Sequence, residues 1–538
     1  MDYPLRLGEA GVFRRVRDLF ARTGFREDRL CAALGIPNMS QLGKVAPEGM
    51  DLAAALGSSG LAVLTRLFAF TQGVARQDVE QALDPADLAA LLALDLLRPG
   101  PDGAHYYAPA FVYPVAGFVV ASDRHDSPDG SDIVLASDVV FPALDAGTLR
   151  FLGLIPHSPV REALDLCSGT GIAALLLAGF SERVVAADVT PRSAHFARFN
   201  VLLNDRPNVA VAVGDLYQAV AGQTFDRIVA HPPYVPALEQ VRVFRDGGTT
   251  GESVLRRIVA DLPRYLRPGG TLYCVAAAWD AAEGPLEYRI RDWLGADQRD
   301  FDVIFAQQEQ VAPERLARWL AEKAGEPDLH QRWEEEFRGA GLERNVYGAI
   351  VVHRAGAGKG TGREREPVTV RPRLSPRTDG ACFEWALRWY RWSGEREAEG
   401  RLAAALLDAR PVLGERLRAH VTYAPGHGRQ GGLAGLSVRE ILLQSDWPFR
   451  ASTGVEPWML QLIGGMGAGR TAREVYQLAA VAGQLPEGFG PDDFAQLIAM
   501  MVERGYVEIG EGPGDRELMP MPLARKGRES DPGDRGTG

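Results

Sequence analysis

The sequence predicts an α/β protein whose central part is a doubly wound parallel sheet, with mainly helical regions on both sides. Short β-rich runs alternate with helical segments from residue 163 to about residue 354, and this alternation is typical of βαβ units. A turn with two glycines follows the first run, and acidic or proline-rich turns follow later runs, at the sheet edge where such folds bind ligands. The predicted strands are 163–166, 184–187, 209–213, 226–230, 271–277, 303–306 and 347–353, with a helical excursion at 313–337.

The bulk composition is that of a multidomain globular protein. A chain of 538 residues predicts about three or four domains. Apolar residues make up 46% and charged residues 24% of the chain, which is ordinary for a soluble protein. No apolar run reaches the roughly 20 residues of a membrane helix, and residues 1–4 lack the basic start of a secretory signal. We therefore expect a cytoplasmic protein with no membrane partner.

Charge and cysteine usage argue against two functional classes. The net charge of −11 gives no general attraction to phosphates, so strong nucleic-acid affinity is not expected without a local basic patch. The cysteines form no Cys-x-x-Cys pair, and the nine histidines show no His-x-x-x-His spacing. We therefore expect no metal site and no disulfide framework, with reduced thiols at Cys31, Cys167, Cys274 and Cys382.

Residues 1–110 are expected to form a helical, winged-helix-like domain. Three short helices followed by a hairpin is the order of a winged helix, and the sequence predicts helices around 61–68, at 77–83 and at 85–94 before an extended stretch from about 106. The segment 85–94 contains Asp87 but no Lys or Arg, whereas a helix that reads DNA needs donors for phosphates and base edges. A scaffold or substrate-orienting role is therefore favoured over DNA reading.

A separate C-terminal domain is expected over 377–510. A Gly-rich segment of mixed charge, 355–376, is expected to be a flexible linker, and the polar tail 511–538 to be disordered. Within the domain, a capping box at 471–474 starts one helix, and a later helix stops at Gly505 before a closing strand. This order suggests a second winged-helix-like unit.

One aromatic helix face lies in this C-terminal domain. Trp385, Trp389 and Trp392 share that face with Arg388. Such a face could stack nucleic-acid bases, but a role in the core or at a domain interface is the favoured interpretation.

The turn after the first β-rich run carries the strongest ligand signal. Gly169 and Gly171 let the backbone pass close to a ligand at a helix N-terminus. With Asp188 about 20 residues further on, the segment also fits the dinucleotide fingerprint of an NAD(P)-dependent oxidoreductase, which is one alternative. Asp165 favours a different ligand, because a carboxylate there would repel a pyrophosphate but can hold the ammonium and sulfonium side of S-adenosylmethionine.

Later strand ends complete the predicted pocket. Asp188 is placed to accept both ribose hydroxyls, and Asp215, which precedes Leu216, to accept from the adenine amine. The turn His231-Pro232-Pro233-Tyr234 ends the fourth strand. Its prolines fix a backbone carbonyl toward the pocket, and its tyrosine ring can stack on a flat amide or base.

At this point the chain resembles the class I S-adenosylmethionine-dependent methyltransferases of the "small domain" group. This group includes the HemK-like protein-glutamine N-methyltransferases and the amino-type nucleic-acid methyltransferases. Phe199-Asn200 with Asn204 resembles the second helix of the family, and 247–252 with 266–270 resembles the stretch after the Pro-Pro-Tyr turn. The resemblance covers about 138–354.

The resemblance implies a Rossmann-like methyltransferase domain over 111–354, with a β-rich lead-in at 106–142. It implies S-adenosylmethionine as cofactor, no metal, and methylation of a planar amide or amine on a protein, a nucleic acid or a small molecule. The implied cofactor-binding residues are Asp165, Cys167, Gly169, Gly171, Asp188, Asp215 and Leu216, and the implied catalytic residues are His231, Pro232, Pro233 and Tyr234.

Two residues depart from the family pattern. Cys167 stands where a glycine is commoner, and His231 stands where Asn or Asp is usual. A neutral imidazole offers one donor and one acceptor, so His231 could position the substrate or act as a general base, and positioning is favoured. The second alternative for the whole chain is a regulator that binds S-adenosylmethionine without methyl transfer and touches DNA or a partner through its outer domains.

Overall fold

The computed structural model describes residues 3–45, 51–100, 103–125, 135–239, 241–356, 366–425, 436–467 and 469–510. The expected tail at 511–538 and residues 357–365 of the expected linker lie outside these ranges. The chain divides into two compact units: Met1–Gly358 with Pro367–Arg371 form the first, and Lys359–Glu366 with Pro372–Gly538 form the second.

The first unit opens with six helices and a small antiparallel sheet of order β1-β3-β2. Asp87 on the sixth helix is buried. Its charge is compensated by Arg15 and Arg22 of the first helix, at distances of 2.8 and 2.7 Å. The elements are α1 (Ala10–Thr23), α2 (Glu27–Leu34), α3 (Leu52–Leu56), α4 (Ser59–Leu64), α5 (Arg76–Ala82), α6 (Pro85–Ala93), β1 (Val74–Ala75), β2 (Arg98–Pro99) and β3 (His105–Tyr107).

A hairpin and one helix then lead into the large sheet. The hairpin consists of β4 (Phe111–Val115) and β5 (Phe118–Ser122), and the helix α7 (Ala146–Gly153) follows. Asp145 caps α7, since its carboxylate accepts a 2.7 Å hydrogen bond from the Gly147 amide.

The central sheet has eight strands in the order β13-β11-β12-β10-β9-β6-β7-β8. Strands β8, β7, β6, β9 and β10 are mutually parallel, whereas β12 is antiparallel to both β10 and β11. The sheet is therefore mixed, and the prediction of a parallel sheet is right for the five strands from β10 to the edge strand β8 but not for β12. The strands are β6 (Val160–Leu166), β7 (Ser181–Asp188), β8 (Val209–Val213), β9 (Phe225–Ala230), β10 (Leu266–Ala281), β11 (Phe301–Val311), β12 (Leu342–Arg354) and β13 (Thr369–Val370).

Six helices connect these strands and cover the sheet. The apolar face of one of them, with Leu255, Ile258 and Leu262, is fully buried in the same core as Leu164 and Ile228 of the sheet. Burying a side chain of this size stabilises the fold by about 1.5–3 kcal/mol. The helices are α8 (Ile172–Leu177), α9 (Pro191–Leu203), α10 (Ser253–Tyr265), α11 (Leu286–Trp293), α12 (Pro313–Ala324) and α13 (Leu329–Gly339).

The short strand β13 lies inside the segment that the sequence predicts as linker. It pairs in parallel with β11, and the Val303 amide donates to the Val368 carbonyl at 2.9 Å. Arg371 follows and donates to the buried carboxylates of Asp280 and Glu287. Residues 367–371 are therefore held by the first unit.

In its described residues, the second unit combines five helices with two small sheets, of order β14-β18 and β15-β16-β17. Thr471 and Glu474 form the predicted capping box. The sheet β15-β16-β17 is absent from the sequence prediction. The elements are α14 (Gly380–Ala398), α15 (Leu402–Asp408), α16 (Pro457–Gly464), α17 (Ala472–Val481), α18 (Pro491–Glu503), β14 (Arg410–Leu413), β15 (Arg418–Pro425), β16 (Leu436–Ser445), β17 (Ala451–Gly454) and β18 (Val507–Gly510).

Burial and bonding describe the tryptophan face and the cysteines. Trp385, Trp389 and Trp392 are all buried, as a core face requires. Cys31, Cys167, Cys274 and Cys382 are not joined in disulfides. Within the described ranges, the helices are too short or too polar to cross a membrane, and His, Cys, Asp and Glu side chains form no group that could hold a metal ion.

Candidate functional site

Three neighbouring strands end in register at one edge of the sheet. Leu166 of β6 pairs with Ala187 of β7 on one side and with Ala230 of β9 on the other. The residues that follow these three, Cys167, Asp188 and His231, therefore leave the sheet side by side. The strand order also reverses between β6 and β9, and such a switch point is where open α/β sheets bind ligands.

The glycine loop, residues 167–171, has positive φ angles that are unfavourable for most residues with a side chain. Cys167, Gly169 and Gly171 have φ angles of 57°, 53° and 80°. A Cβ on Gly171 would lie 3.2 Å from the Ala197 side chain, so α9 packs closely there, whereas a Cβ on Gly169 would meet nothing within 4 Å. The loop therefore presents open backbone at Gly169, next to the N-terminus of α8.

Asp165 lies beneath the glycine loop and holds it. Its side chain is buried, and Oδ2 accepts hydrogen bonds from the Ser168 hydroxyl at 2.7 Å and the Ala174 amide at 3.1 Å. Burial raises the pKa of Asp165 to about 7, although these hydrogen bonds oppose the shift, and repulsion from Asp188 adds to it. The sequence predicts this carboxylate at the mouth of the turn; the structure buries it and engages one of its oxygens within the loop.

Asp188 links the glycine loop to the end of β7. Its Oδ2 accepts from the Gly169 amide at 2.9 Å, and its Oδ1 accepts from the Thr190 amide at 3.0 Å. The next residue, Val189, is 48% exposed although it is apolar. Sequence reasoning missed Val189; its signal is an apolar residue directly after an acidic strand end.

Asp215 and Leu216 stand at the end of β8. Asp215 is partly exposed, and its Oδ2 accepts from Arg257 at 2.6 Å. Leu216 is buried with a φ of 51°. The pKa of the Cys167 thiol is raised by burial and by the negative charges of Asp188, Asp165 and Asp215, so the structure brings these predicted residues around one thiol.

The proline corner, His231-Pro232-Pro233-Tyr234, follows β9. The His231 ring stacks on Phe151 of α7, with centroids 5.3 Å apart, and lies 5.9 Å from the Tyr234 ring. The Nε2 atom of His231 is enclosed and has no hydrogen-bond partner. Burial lowers the pKa of His231 to about 4, against an opposing effect of Asp145. The imidazole is therefore neutral at neutral pH.

Tyr347, on β12, supports the proline corner from the antiparallel part of the sheet. Its ring centroid lies 5.8 Å from that of Tyr234, and the two hydroxyl groups share a hydrogen bond. Burial raises the pKa of both phenols, so both are neutral. Sequence reasoning missed Tyr347, because it is 113 positions from Tyr234 and carries no local motif.

A second glycine-rich segment, 247–251, packs directly on the proline corner. The Gly247 amide donates to the Val235 carbonyl at 2.9 Å. A Cβ on Gly251 would lie 2.4 Å from the Tyr234 carbonyl oxygen. Glu252 anchors the segment, because its buried carboxylate accepts from Arg289 at 2.7 Å and from the Trp279 amide at 2.9 Å.

Two asparagines on α9 connect the lead-in hairpin to the glycine loop. Asn200 accepts from the Ala121 amide and donates to the carbonyls of Ala121 and Thr170, all within 2.9 Å. Asn204 makes the equivalent pair of bonds to Val119 of β5. The Phe199-Asn200 and Asn204 pattern thus has a structural basis: the two amides bind one strand and the loop.

Two parts of the chain match known domain families. Residues 134–296 match the family described as methyltransferase small domain, and residues 22–107 match a domain of unknown function, DUF7059. The central domain is a class I S-adenosylmethionine-dependent methyltransferase domain. Its group is the HemK-like one that the sequence motifs indicate.

Three curated relatives show how far the likeness of the methyltransferase domain extends. A putative protein N5-glutamine methyltransferase of Methanocaldococcus jannaschii is 29% identical over 27% of this chain and 75% of its own length. A release factor glutamine methyltransferase of Xylella fastidiosa is 31% identical over 28% of this chain and 59% of its own. A ribosomal protein uL3 glutamine methyltransferase of Bordetella pertussis is 34% identical over 32% of this chain and 64% of its own. The chain thus spans less than two thirds of the last two relatives.

The residues of the methyltransferase domain fit S-adenosylmethionine. Open backbone at Gly169 leaves room for a ligand against the loop, and the carboxylates of Asp165 and Asp188 both hydrogen-bond to this loop or to the helix after it. The exposed Val189 offers an apolar surface beside Asp188. The cofactor of this domain family is S-adenosylmethionine, and a nicotinamide cofactor is not favoured.

Proposed function

We propose that this chain is an S-adenosylmethionine-dependent N-methyltransferase whose acceptor is a planar side-chain amide of a protein. One observation carries the proposal: the glycine loop, Asp188 and the proline corner all start from residues paired across β7, β6 and β9. A cofactor held by the first two therefore lies next to an acceptor held by the third. Glutamine methyltransferase relatives support the choice of an amide.

The proposed roles follow the positions of the residues. Asp165 and the backbone of Cys167, Gly169 and Gly171 hold the methionine end of the cofactor. Asp188 accepts from the ribose hydroxyls. The adenine lies near Asp215, Leu216 and Val189, where a carboxylate adjoins apolar side chains.

The proline corner holds the acceptor. A carbonyl of the corner accepts from the planar N–H₂ group, and Tyr234 stacks on the amide plane. The bound cofactor supplies the methyl group from its sulfonium. The acceptor nitrogen would form the new bond to the methyl carbon as the carbon–sulfur bond breaks with its electron pair on sulfur, and the proton lost from the nitrogen would pass to solvent. The protein contributes mainly alignment, which can supply much of the rate enhancement.

His231 acts as a positioning residue in this proposal. A histidine whose pKa is about 4 is a weak base and stays neutral, so it can offer one donor and one acceptor to an amide. Its unpartnered Nε2 is consistent with that role. A general base working near neutral pH would need a pKa closer to 7.

The outer regions are proposed to be winged-helix-like scaffolds over 1–110 and 377–510. The first region contains, in order, β1, α5, α6 and a β2–β3 hairpin. Asp87 of α6 is paired with arginines of α1, so it is unavailable to a nucleic acid. We do not favour the regulator that binds the cofactor without transfer, because the matched relatives are methyltransferases. A cytoplasmic location is also a proposal, in keeping with relatives named for translation components.

The direct test uses the full chain, methyl-labelled S-adenosylmethionine and a cell extract separated into protein, RNA and small molecules. We expect label in protein, as an added methyl group on a glutamine or asparagine side chain identified by mass spectrometry. Cofactor binding by calorimetry together with no label in any fraction would refute methyl transfer and favour the regulator. Label confined to RNA or small molecules would refute the protein acceptor.

His231 substitutions test the positioning role. We expect His231→Asn to keep kcat/KM within about tenfold, because an amide also offers one donor and one acceptor, and His231→Ala to lose about 10- to 100-fold through the lost hydrogen bond. Wild type and His231→Asn should show the same pH profile between pH 6 and 8. An inflection near pH 6.5 that disappears in His231→Asn would show instead that the histidine is a general base.

The raised pKa of Asp165 predicts proton release on cofactor binding. With a pKa of about 7 the free carboxyl is mostly protonated at pH 6, whereas the cofactor ammonium requires the carboxylate. Cofactor affinity should therefore rise about tenfold from pH 6 to pH 8 and then level off. Calorimetry in buffers of different ionisation enthalpy should detect the proton released at pH 6.5. The same titration of Asp165→Asn should be weaker and lack this release; an equal release in that variant would assign the proton to another group.

A further inference from the structure

Two carboxylates flank the proline corner without taking part in its hydrogen bonds. Asp145 Oδ1, Tyr347 Oη and His231 Cε1 lie 2.8, 3.4 and 4.0 Å from the position that a Gly147 Cβ would occupy, so these three side chains surround one point. Glu309 is the direct cross-strand partner of Tyr347, next to an irregularity that follows Gln307 in β11. We call Asp145 and Glu309 the acidic pair.

The acidic pair is exposed and carries uncompensated charge. Neither residue has an ion-pair partner within the described part of the chain, whereas the cofactor-side Asp215 is paired with Arg257. Asp145 accepts from the Gly147 amide, and Glu309 accepts a long, 3.5 Å hydrogen bond from Gln308. Both charges act on the corner, since each raises the pKa of Tyr234. A substrate that reaches the corner therefore enters a region of negative potential.

A second observation indicates that a ligand binds here. His231 Nε2 is an enclosed polar atom without a partner, and Cε1 of the same imidazole lies 4.0 Å from the point that Asp145 and Tyr347 also approach. Buried polar atoms in proteins are nearly always hydrogen-bonded, so an atom left unpaired beside an exposed acidic pair indicates a missing polar partner.

We propose that the acceptor is an amide in a basic protein segment, with a Lys or Arg close enough in sequence to pair with Asp145 or Glu309. This inference rests on the proposed function and narrows its substrate class. A nucleic acid is disfavoured, because its phosphates would face both carboxylates on a chain whose net charge is already −11. The acidic pair therefore selects the substrate, while the proline corner aligns the acceptor.

The test compares glutamine-containing peptides that differ only in the residues on either side of the glutamine: Lys or Arg, Ala, or Glu. The full chain is used, and methyl transfer and kcat/KM are measured for each peptide at low and high salt. We expect the basic peptide to exceed the Ala peptide by about five- to tenfold and the Glu peptide by more, with the preference reduced by salt.

Neutral variants connect the preference to the two carboxylates. Asp145→Asn removes the charge but keeps the helix cap, because Asn caps as well as Asp does. The double variant combines Asp145→Asn with Glu309→Gln. Glu322→Gln, on the exposed surface of α12, is the matched control. We expect the double variant to reduce the basic preference to about twofold through a higher KM, with the cofactor Kd unchanged, and the control to keep the full preference.

The outcomes separate this inference from the proposed function. Equal kcat/KM for basic, Ala and Glu peptides would overturn the inference and leave amide methylation standing. A preference that survives in the double variant would also overturn it, because other residues would then select the charge. Methylation of no peptide, but of RNA, would overturn both.

Discussion

Replacing Gly251 by Ala is expected to abolish most methyl transfer while leaving cofactor binding intact. Gly251 has a φ of 82°, and an added Cβ would lie 2.4 Å from the Tyr234 carbonyl oxygen. Since that contact is impossible, the two packed backbones must move apart, and a displacement of about 1 Å of the Pro-Pro-Tyr backbone at the reacting centre can cost about 100-fold in rate. We expect kcat to fall by about that factor. The cofactor Kd, measured by calorimetry, should change less than about threefold, because the three atoms nearest the added Cβ belong to Tyr234 and Pro236 and not to the glycine loop.

A matched glycine separates this effect from simple backbone strain. Gly222 has a φ of 79°, and a Cβ there would meet nothing within 4 Å. Gly222→Ala should therefore cost about 1 kcal/mol of stability from the left-handed backbone alone and keep its kcat. Thermal unfolding of both variants should be measured to check that each variant is folded. Equal kcat values for the two variants would show that segment 247–251 does not position the proline corner.

The cofactor side of the site is predictable because its signals are local. Each carboxylate lies at the end of a predicted strand, and Gly169 and Gly171 stand where the chain turns into a helix. Parallel strands then bring these ends to one edge without further information. The sequence does not reveal that Asp165 lies beneath the loop, since that depends on its hydrogen bond to the Ala174 amide.

The acceptor side is less predictable because it is assembled from distant parts of the chain. Asp145 is a helix cap within the matched family region. Tyr347 and Glu309 lie on two strands, β12 and β11, beyond that region. None of them follows a spacing rule relative to His231. Tyr347 and Glu309 lie side by side because β12 pairs with β11, whereas Asp145 reaches the same region from the N-cap of α7.

Hydrophobic periodicity also could not predict whether β12 runs parallel or antiparallel to its neighbours. Residues 349–352 are buried on both faces of the sheet, and a doubly covered strand is continuously apolar whether it runs parallel or antiparallel. The strand β15 shows the opposite difficulty. Ala419, Val421 and Tyr423 alternate with polar residues there, but nearly all side chains of the strand are exposed, so this short alternation marks no buried face. The two residues of β13 are too few for any periodicity.

Asp188 substitutions are expected to have the largest effect on cofactor binding. The carboxylate has two tasks in the proposed site: it accepts from the Gly169 amide, which shapes the glycine loop, and it is placed to accept from the ribose hydroxyls. Hydrogen bonds to a charged group are worth about 1.5–3 kcal/mol each. Asp188→Ala should therefore weaken S-adenosylmethionine binding by at least about 100-fold, measured by calorimetry, with a matching loss of the cofactor-induced rise in Tm.

Graded variants distinguish the two tasks of Asp188. Asp188→Asn keeps one carbonyl acceptor for the Gly169 amide but removes the charge, so we expect a smaller loss of about tenfold. Asp261→Asn, on the exposed face of α10 beside Arg264, is the control and should bind the cofactor as wild type does. If Asp188→Ala bound the cofactor with unchanged affinity, the carboxylate would serve only to hold the loop, and the ribose would have to lie elsewhere along the sheet edge. The neighbouring position of Tyr234 would then no longer place an acceptor next to the methyl group, so this variant tests the geometry on which methyl transfer depends.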